Sequence, residues 1–299
     1  MGVESGLVVV DKPSGMTSHD VVARLRGLLG TRRIGHAGTL DPMATGVLVL
    51  GVQRATRLLG HLALDTKAYT ATIRLGAATS TDDAEGEVLD TADASGVERA
   101  DILAGMAGLT GDIEQVPSAV SAIKIDGRRA YARVRDGEVV TLPARPVTVS
   151  AFELTDIRRV GTYTDLDARV ECSSGMYVRA LARDLGRGLG VGGHLTALRR
   201  TRVGPFELAA ARTLEELAEH PGLTHRLDAA VAAAFRVRVA NAEESAALAH
   251  GRALAAAGIS GVYAVTDRCG RVLALVSEVD GLAKPVLVLT PAGAGQPAP

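Results

Sequence analysis

Apolar and polar positions along this chain fall into short blocks, and the period within each block predicts its element. Gly6 to Val10 is a continuous apolar run of strand length, closed by the turn-forming stretch Asp11-Lys12-Pro13-Ser14-Gly15. Across 20–29 the residues Val21, Val22, Leu25, Leu28 and Leu29 share one helical face opposite Arg24 and Arg26, with Ser18 as N-cap and a stop near Gly30. The run 44–51, Ala-Thr-Gly-Val-Leu-Val-Leu-Gly, predicts a second buried strand. Tyr69 to Leu75 alternates with period two, and Arg169 to Cys172 predicts another strand leading through Ser173-Ser174-Gly175 into a helix. On that helix Val178, Leu181, Leu185 and Leu189 form the apolar face, and Arg179, Arg183 and Arg187 the polar one. Further helices are expected over 97–106 and 214–219, and the acidic, small-residue stretch 82–96 predicts a solvated loop.

Two segments break this texture. Residues 117–146 lack a continuous apolar pattern, are rich in Arg and Gly, and carry the turn signals Asp126-Gly127 and Asp136-Gly137, so they predict a mobile insertion. Past about residue 230, short alternating runs near 235–239, 261–265, 272–276 and 286–289 surround a helix over 242–250, predicting a small β-rich domain. Its last nine residues are too poor in apolar mass to pack and are expected to be disordered. The expected organisation is a mixed α/β domain over 1–229 and a tail domain over 230–299.

Composition narrows the class. A chain of 299 residues with 47% hydrophobic and 22% charged content fits an ordinary globular protein of about two domains. It contains no uninterrupted apolar run of about 18 residues and no basic-then-apolar leader, so a cytoplasmic protein is expected, with no membrane partner. Cys172 and Cys269 stand alone and the seven histidines are scattered, which argues against a disulfide framework, a structural zinc site or any metal. A net charge of −1 does not advertise nucleic-acid binding, but all basic residues except Lys12, Lys67, Lys124 and Lys284 are arginine. These arginines cluster over 24–33, 128–135 and 199–202, and a planar fork suits phosphate and base stacking, although such runs also serve as solvated faces.

The stretch with most chemical promise is 35–42, Gly-His-Ala-Gly-Thr-Leu-Asp-Pro. Glycines permit positive φ and Pro42 disfavours helical backbone at Asp41, so a carboxylate is presented on a stiff turn at the rim of the predicted strand 44–51. An Asp-Pro beside glycines is also simply a turn signal, and on spacing alone His36 reads as an acid/base partner for Asp41.

Six motifs in order lift Asp41 above that reading. They are Asp11-Lys12-Pro13-Ser14-Gly15-Met16-Thr17-Ser18; Gly35 to Pro42 with Ala44-Thr45-Gly46; Lys67-Ala68-Tyr69; Ser121-Ala122-Ile123-Lys124; Ser174-Gly175-Met176-Tyr177-Val178-Arg179; and Leu198-Arg199-Arg200. Together they resemble the bacterial tRNA pseudouridine-55 synthase family, the TruB-type enzymes, over roughly residues 6 to 229, and the tail more loosely resembles a PUA module. The resemblance implies an α+β catalytic domain around a largely antiparallel sheet with the cleft across it. It implies isomerisation of a T-loop uridine, with the T-arm of tRNA as partner, no cofactor, no metal and a monomer. By position it makes Asp41 the catalytic aspartate, Tyr69 the residue stacked on the base, and Arg179 the partner of the carboxylate. It places His36, Tyr177 and Leu198 in the substrate pocket and gives Lys12 and Lys124 to support of the loop or the RNA backbone, and His36 becomes a support for the opened RNA loop.

Two alternatives compete on residue chemistry. A sugar hydrolase with an aspartate nucleophile needs a second carboxylate about 5 Å away, and the sequence shows no obvious partner near Asp41, Tyr69 and Arg179. A non-catalytic RNA-binding or RNA-folding protein would keep the scaffold without the chemistry.

Overall fold

A computed structural model describes residues 3–63, 66–118 and 142–291, together with the backbone of 124–125 and 128–129. The first strands along the chain are β1 (Gly6–Lys12), β2 (Ile34–Ala37), β3 (Thr45–Val52), β4 (Lys67–Leu75), β5 (Ala77–Thr79), β6 (Val88–Thr91) and β7 (Gly111–Gln115). They are followed by β8 (Lys124–Ile125), β9 (Arg128–Arg129), β10 (Arg145–Val160), β11 (Tyr163–Cys172), β12 (Gly193–Val203), β13 (Phe206–Glu207) and β14 (His225–Arg226). The tail contributes β15 (Val237–Val239), β16 (Leu254–Ala255), β17 (Val262–Thr266), β18 (Val272–Val279) and β19 (Leu282–Val288). The helices are α1 (Ser18–Leu29), α2 (Leu59–Leu62), α3 (Arg99–Gly108), α4 (Val178–Gly188), α5 (Leu214–Glu219), α6 (Leu227–Ala234) and α7 (Ala242–Ala249).

The main sheet has ten strands in the order β14-β1-β3-β12-β4-β11-β10-β7, with β13 on β12 and β2 on β3, and the tail sheet runs β15-β17-β18-β19-β16. The β3–β12 contact is parallel and every other pairing in the main sheet is antiparallel, as expected for an α+β fold around a largely antiparallel sheet. Strand β4 shows why: Tyr69, Ala71, Ile73 and Leu75 point into one core while Thr70, Thr72 and Arg74 face away. Helices α1, α3, α4 and α5 cover that face, contributing Val21, Val22, Leu25, Ile102, Met106, Leu181, Leu185, Leu214 and Leu217.

Strands β1 and β3 are continuous apolar runs because both their faces are covered. Val8, Val10, Leu48 and Leu50 join the helical core, whereas Leu7, Val9, Val47 and Val49 pack in a second core with Leu58, Leu62, Val231 and the tail residues Ala264, Val272, Leu275 and Leu287. The tail sheet is thus fused to the back of the main sheet. Backbone contacts reinforce it: Arg57 Nη1 donates to the Val288 carbonyl at 2.8 Å, Arg54 Nη1 to that of Leu289 at 3.1 Å, and the Val272 amide to Asp228 at 2.8 Å. The expected division at 229/230 falls inside α6, whose Leu227, Ala230 and Val231 belong to this shared core.

Several expectations are corrected. The N-cap of α1 is Thr17, which makes a reciprocal capping box with Asp20, while Ser18 turns inward and exchanges hydrogen bonds with the Leu40 backbone at 2.9 and 3.1 Å. The loop expected over 82–96 contains β6 and a deeply buried Asp83. The sixteen-residue strand β10 went unpredicted because bulges between Val149 and Ala151 and between Leu154 and Asp156 break the alternation of its inward residues Val147, Val149, Phe152, Leu154 and Ile157. It also takes in Arg145 and Pro146, the last residues of the expected insertion, most of which lies outside the described residues.

Where β3 meets β12 in parallel, Gly46 lies opposite Arg200 with φ +99°, and a Cβ there would sit 2.1 Å from the Arg200 carbonyl oxygen. Gly46→Ala is therefore expected to lower stability by more than about 3 kcal/mol, since both backbone strain and a backbone clash oppose it. Urea unfolding monitored by circular dichroism measures this; a loss below about 1 kcal/mol would show that the two strands can separate freely.

Candidate active site

A cleft of about 280 Å³ opens between the turn 38–41, the start of β4, the middle of β12, and the segment 174–179 that leads into α4. Its walls include Asp41, Lys67, Tyr69, Tyr177, Arg179, Leu198 and Arg200. The carboxylate of Asp41 is about one-third exposed and meets a buried guanidinium, with Arg179 Nε 3.0 Å from Oδ2 and Nη2 3.3 Å from Oδ1. The α4 periodicity put Arg179 on the polar face, but its side chain is only 5% exposed because it turns under the turn instead of into solvent.

The far side of that guanidinium is held by the loop after β5. Arg179 Nη1 donates to the Thr81 carbonyl at 2.9 Å and lies 3.6 Å from Asp83 Oδ2, so one cation serves two carboxylates. Asp83 also accepts from the Glu85 amide at 3.0 Å. The loop is pinned by Asp82, a non-glycine residue at φ +61°, whose carbonyl accepts from Leu195 N at 3.0 Å and whose Oδ2 pairs with Arg183 at 3.1 Å. Holding that backbone costs about 1–3 kcal/mol, which the two anchors offset. Burial pushes the Asp82 carboxyl above its ordinary range. Partial burial and the charges of Asp83 and Asp41 do the same to Glu85. The expectation that no second carboxylate stands near Asp41 is thus corrected: Asp83 and Glu85 come from a segment too distant in sequence to be placed by inspection.

Tyr69 lies on the floor, and burial pushes its phenol above the ordinary range while the neighbouring Arg200 guanidinium pulls the other way. The hydroxyl is therefore a neutral donor and acceptor near pH 7. Arg200 is fully enclosed and donates to the carbonyls of Val47 at 2.7 Å and Gly38 at 2.9 Å, which fixes the turn that carries Asp41 to the sheet. Gly38 takes φ +76° there. Beneath the floor, burial raises the Cys172 thiol to about 12, so it is an inert packing group.

With this geometry in view, the comparisons with known proteins are specific. Residues 26–178 match the model described as TruB family pseudouridylate synthase, N-terminal domain; 179–247 match the tRNA pseudouridylate synthase B C-terminal domain, and 235–290 the C-terminal region of tRNA pseudouridine synthase II. The chain belongs to the TruB family of pseudouridylate synthases. Curated relatives within it include the tRNA pseudouridine synthase B of Rhodococcus jostii, 62% identical with 97% of this chain and 95% of that protein covered. The protein of the same name from Nocardia farcinica is 65% identical over 96% and 94%. Among solved structures, a Cbf5–Nop10–Gar1 complex matches with TM-score 0.74 at 27% identity, covering 96% of this chain and 85% of that one. An H/ACA ribonucleoprotein bound to a substrate RNA containing 2′-deoxyuridine matches with TM-score 0.72 at 26% identity, covering 96% and 86%. Among the described residues no helix is long and apolar enough to cross a membrane.

Relative to the residues expected from this TruB resemblance, the fold brings Asp41, Tyr69, Arg179, Tyr177 and Leu198 to one cleft. His36 is not among the cleft walls. It lies on β2, its ring edge-on to His19 at 5.4 Å. Lys124 lies in β8, where only the backbone is described, and the arginines of 128–135 fall outside the described side chains. Of the two roles expected for Lys12, its surroundings favour support of the loop. It is 0% exposed, and Nζ donates to the carbonyls of Pro13 at 2.8 Å, Met16 at 2.6 Å and Pro42 at 3.2 Å. An ammonium has three protons, so none is left for a phosphate. The third arginine cluster is also mostly occupied: Arg199 pairs with Asp11 at 2.6 Å and Arg202 with Glu171 at 3.0 Å. Residue-by-residue reading missed Asp83 and Gln115; the run Thr81-Asp82-Asp83 was visible only as loop-like acidity.

Burial pushes the Lys12 ammonium down to about 8, with the Asp41 charge pulling the other way. The folded chain therefore sheds this proton between about pH 8 and the unfolded value of 10.5, while the unfolded chain keeps it, so this group favours folding more as pH rises through that window. Lys12→Met removes that slope and leaves three carbonyls short of a donor, and it should cost about 1–3 kcal/mol. Because no phosphate contact is lost, the salt dependence of RNA binding should stay that of the wild type; a slope reduced by about one unit would restore Lys12 to the interface.

Proposed function

We propose that the chain converts uridine 55 in the T-loop of tRNA to pseudouridine, with Asp41, Tyr69 and Arg179 as the reacting set. The observation that carries this reading is the Asp41–Arg179 pair at the mouth of a cleft floored by Tyr69, in a chain of the TruB family. Relatives named tRNA pseudouridine synthase B, matched over nearly their whole length, supply the substrate. In the reaction the N1–C1′ bond breaks, the uracil turns, the C5–C1′ bond forms, C5 loses a proton and N1 regains one, so atoms balance without a cofactor. Asp41 opens the sequence, as a nucleophile toward sugar or base or as the base that takes a sugar proton. Arg179, desolvated and fixed on three sides, orients the carboxylate at no reorganisation cost during the reaction. Tyr69 offers a flat ring to the released uracil and a neutral hydroxyl for proton transfer at C5.

A base inside folded RNA must leave its stack first, at a cost of a few kcal/mol recovered from contacts elsewhere. In this reading Leu198 and Tyr177 wall the flipped nucleotide, and His36, on β2, supports the opened loop. The exposed arginines of α1 and the following turn, Arg24, Arg26, Arg32 and Arg33, meet phosphates. The 235–291 region acts as a PUA-like module fixed against the catalytic domain, and the protein works on tRNA in the cytoplasm as a single chain.

The decisive measurement is tritium release from C5-labelled uridine in a tRNA T-arm. Asp41→Asn is expected to reduce release by more than about a thousandfold while T-arm affinity stays within about threefold of wild type. Turnover that survives the substitution refutes the assignment, and a wild type that binds but releases nothing identifies a non-catalytic RNA-binding protein. Raising salt from about 50 to 200 mM should weaken T-arm binding by more than tenfold, as an interface holding several phosphates requires.

A further inference from the structure

Gln115 is only 1% exposed, and both the oxygen and the nitrogen of its carboxamide bond one residue of the cleft wall. The Tyr177 amide donates to Gln115 Oε1 at 2.8 Å, and Gln115 Nε2 donates to the Tyr177 carbonyl at 3.1 Å. The same carbonyl accepts the first backbone bond of α4, from Leu181 N at 3.2 Å, so both its lone pairs are used. Tyr177 is extended, at φ −114° and ψ 112°, and no side chain of the helix itself caps that end. Gln115 is the last residue of β7, and its neighbour Val116 is held to the same helix by Arg183 Nη2, which donates to the Val116 carbonyl at 2.7 Å.

We propose that Gln115 is a positioning residue for the isomerisation, fixing Tyr177 and the first turn of α4 so that Tyr177 and Arg179 face the cleft in reactive geometry. The glutamine amide presents one of its N–H groups and its oxygen side by side, as a peptide would, and so completes a short strand-like pair with Tyr177 across the two elements. Tyr177 is the N-cap residue of the helix, and Arg179 follows two residues later. Rotating the start of α4 would move the guanidinium against Asp41, and misplacements near 1 Å at such sites cost up to about a hundredfold in rate. This inference rests on the proposed pseudouridine chemistry.

The test uses the full chain, a T-arm substrate and single-turnover and steady-state tritium release. Gln115→Ala should lower kcat by about tenfold or more, with KM and T-arm Kd changed less than about threefold, since the residue touches no RNA. Gln115→Glu provides a second readout. Protonated, its carboxyl offers the same donor and acceptor as the amide; ionised, it loses the donor and sets a negative charge against the Tyr177 carbonyl. Its kcat relative to wild type at the same pH should therefore rise by about fivefold or more from pH 8 to pH 6, and this ratio cancels the titration of Lys12 and the other shared groups near the site. A thermal melt checks folding of each variant; if Gln115→Ala does not fold, the pH ratio of Gln115→Glu decides alone. A Gln115→Ala kcat within about twofold of wild type, or a flat ratio, overturns the assignment. A wild type inactive on the T-arm refutes the proposed function instead.

Discussion

Three cations that have been taken out of water govern the shape of this cleft. Lys12, Arg179 and Arg200 are each almost wholly enclosed, and a buried charge costs several kcal/mol unless acceptors surround it. The acceptors come from segments far apart in sequence. Lys12 draws in the carbonyls of Pro13, Met16 and Pro42. Arg200 draws in those of Gly38 and Val47, and Arg179 gathers Thr81, Asp83 and Asp41. The turn bearing Asp41 is therefore tied at both ends to cations that cannot release it cheaply. Its rigidity comes from this solvation of charge by backbone more than from glycine and proline, which only make the turn accessible.

The same constraint explains what could and could not be read from residues alone. Elements whose pattern is set by burial on one face were legible: β4 from its alternation, α1 from its apolar stripe, and α5 from residues 214–219, where the expected and observed helix coincide. Asp41, Tyr69 and Arg179, which share the cleft, were singled out because the motifs that carry them occur together in one family, not because spacing alone marks them. Arg179 illustrates the limit. Helical periodicity placed it on a solvated face, and only the loop 81–83, a hundred residues away, turns that face into an interior. Asp83 was missed for the same reason, since a buried carboxylate in an acidic stretch has no local signature. Lys12 was found but given two possible roles, and only its three carbonyl partners choose between them.

Burial on two faces accounts for the attachment of the tail. A strand that reads Gly-Leu-Val-Val-Val can belong to the centre of a sheet only if something covers its second face, and Ala264, Val272, Leu275 and Leu287 do so for β1 and β3. The apolar run at the start of the chain is thus sequence evidence for a domain at its end. The fused tail sheet therefore keeps a fixed place relative to the Asp41 cleft.

Arginine in this chain does two different kinds of work, and composition cannot separate them. Arg179 and Arg200 are charges buried inside the protein; Arg199, Arg202 and Arg183 are matched to Asp11, Glu171 and Asp82 near its surface. None of these can release a counterion from a bound polyanion without first losing a partner, and each therefore adds little to the salt dependence of RNA binding. Exposed residues such as Arg24, Arg32 and Arg33 can do so at no such cost. This is how a chain of net charge −1 can bind RNA. Acids such as Asp11, Asp82, Asp83 and Glu171 are spent on internal and neighbouring arginines, so the charge a polyanion meets locally is not the sum over the sequence.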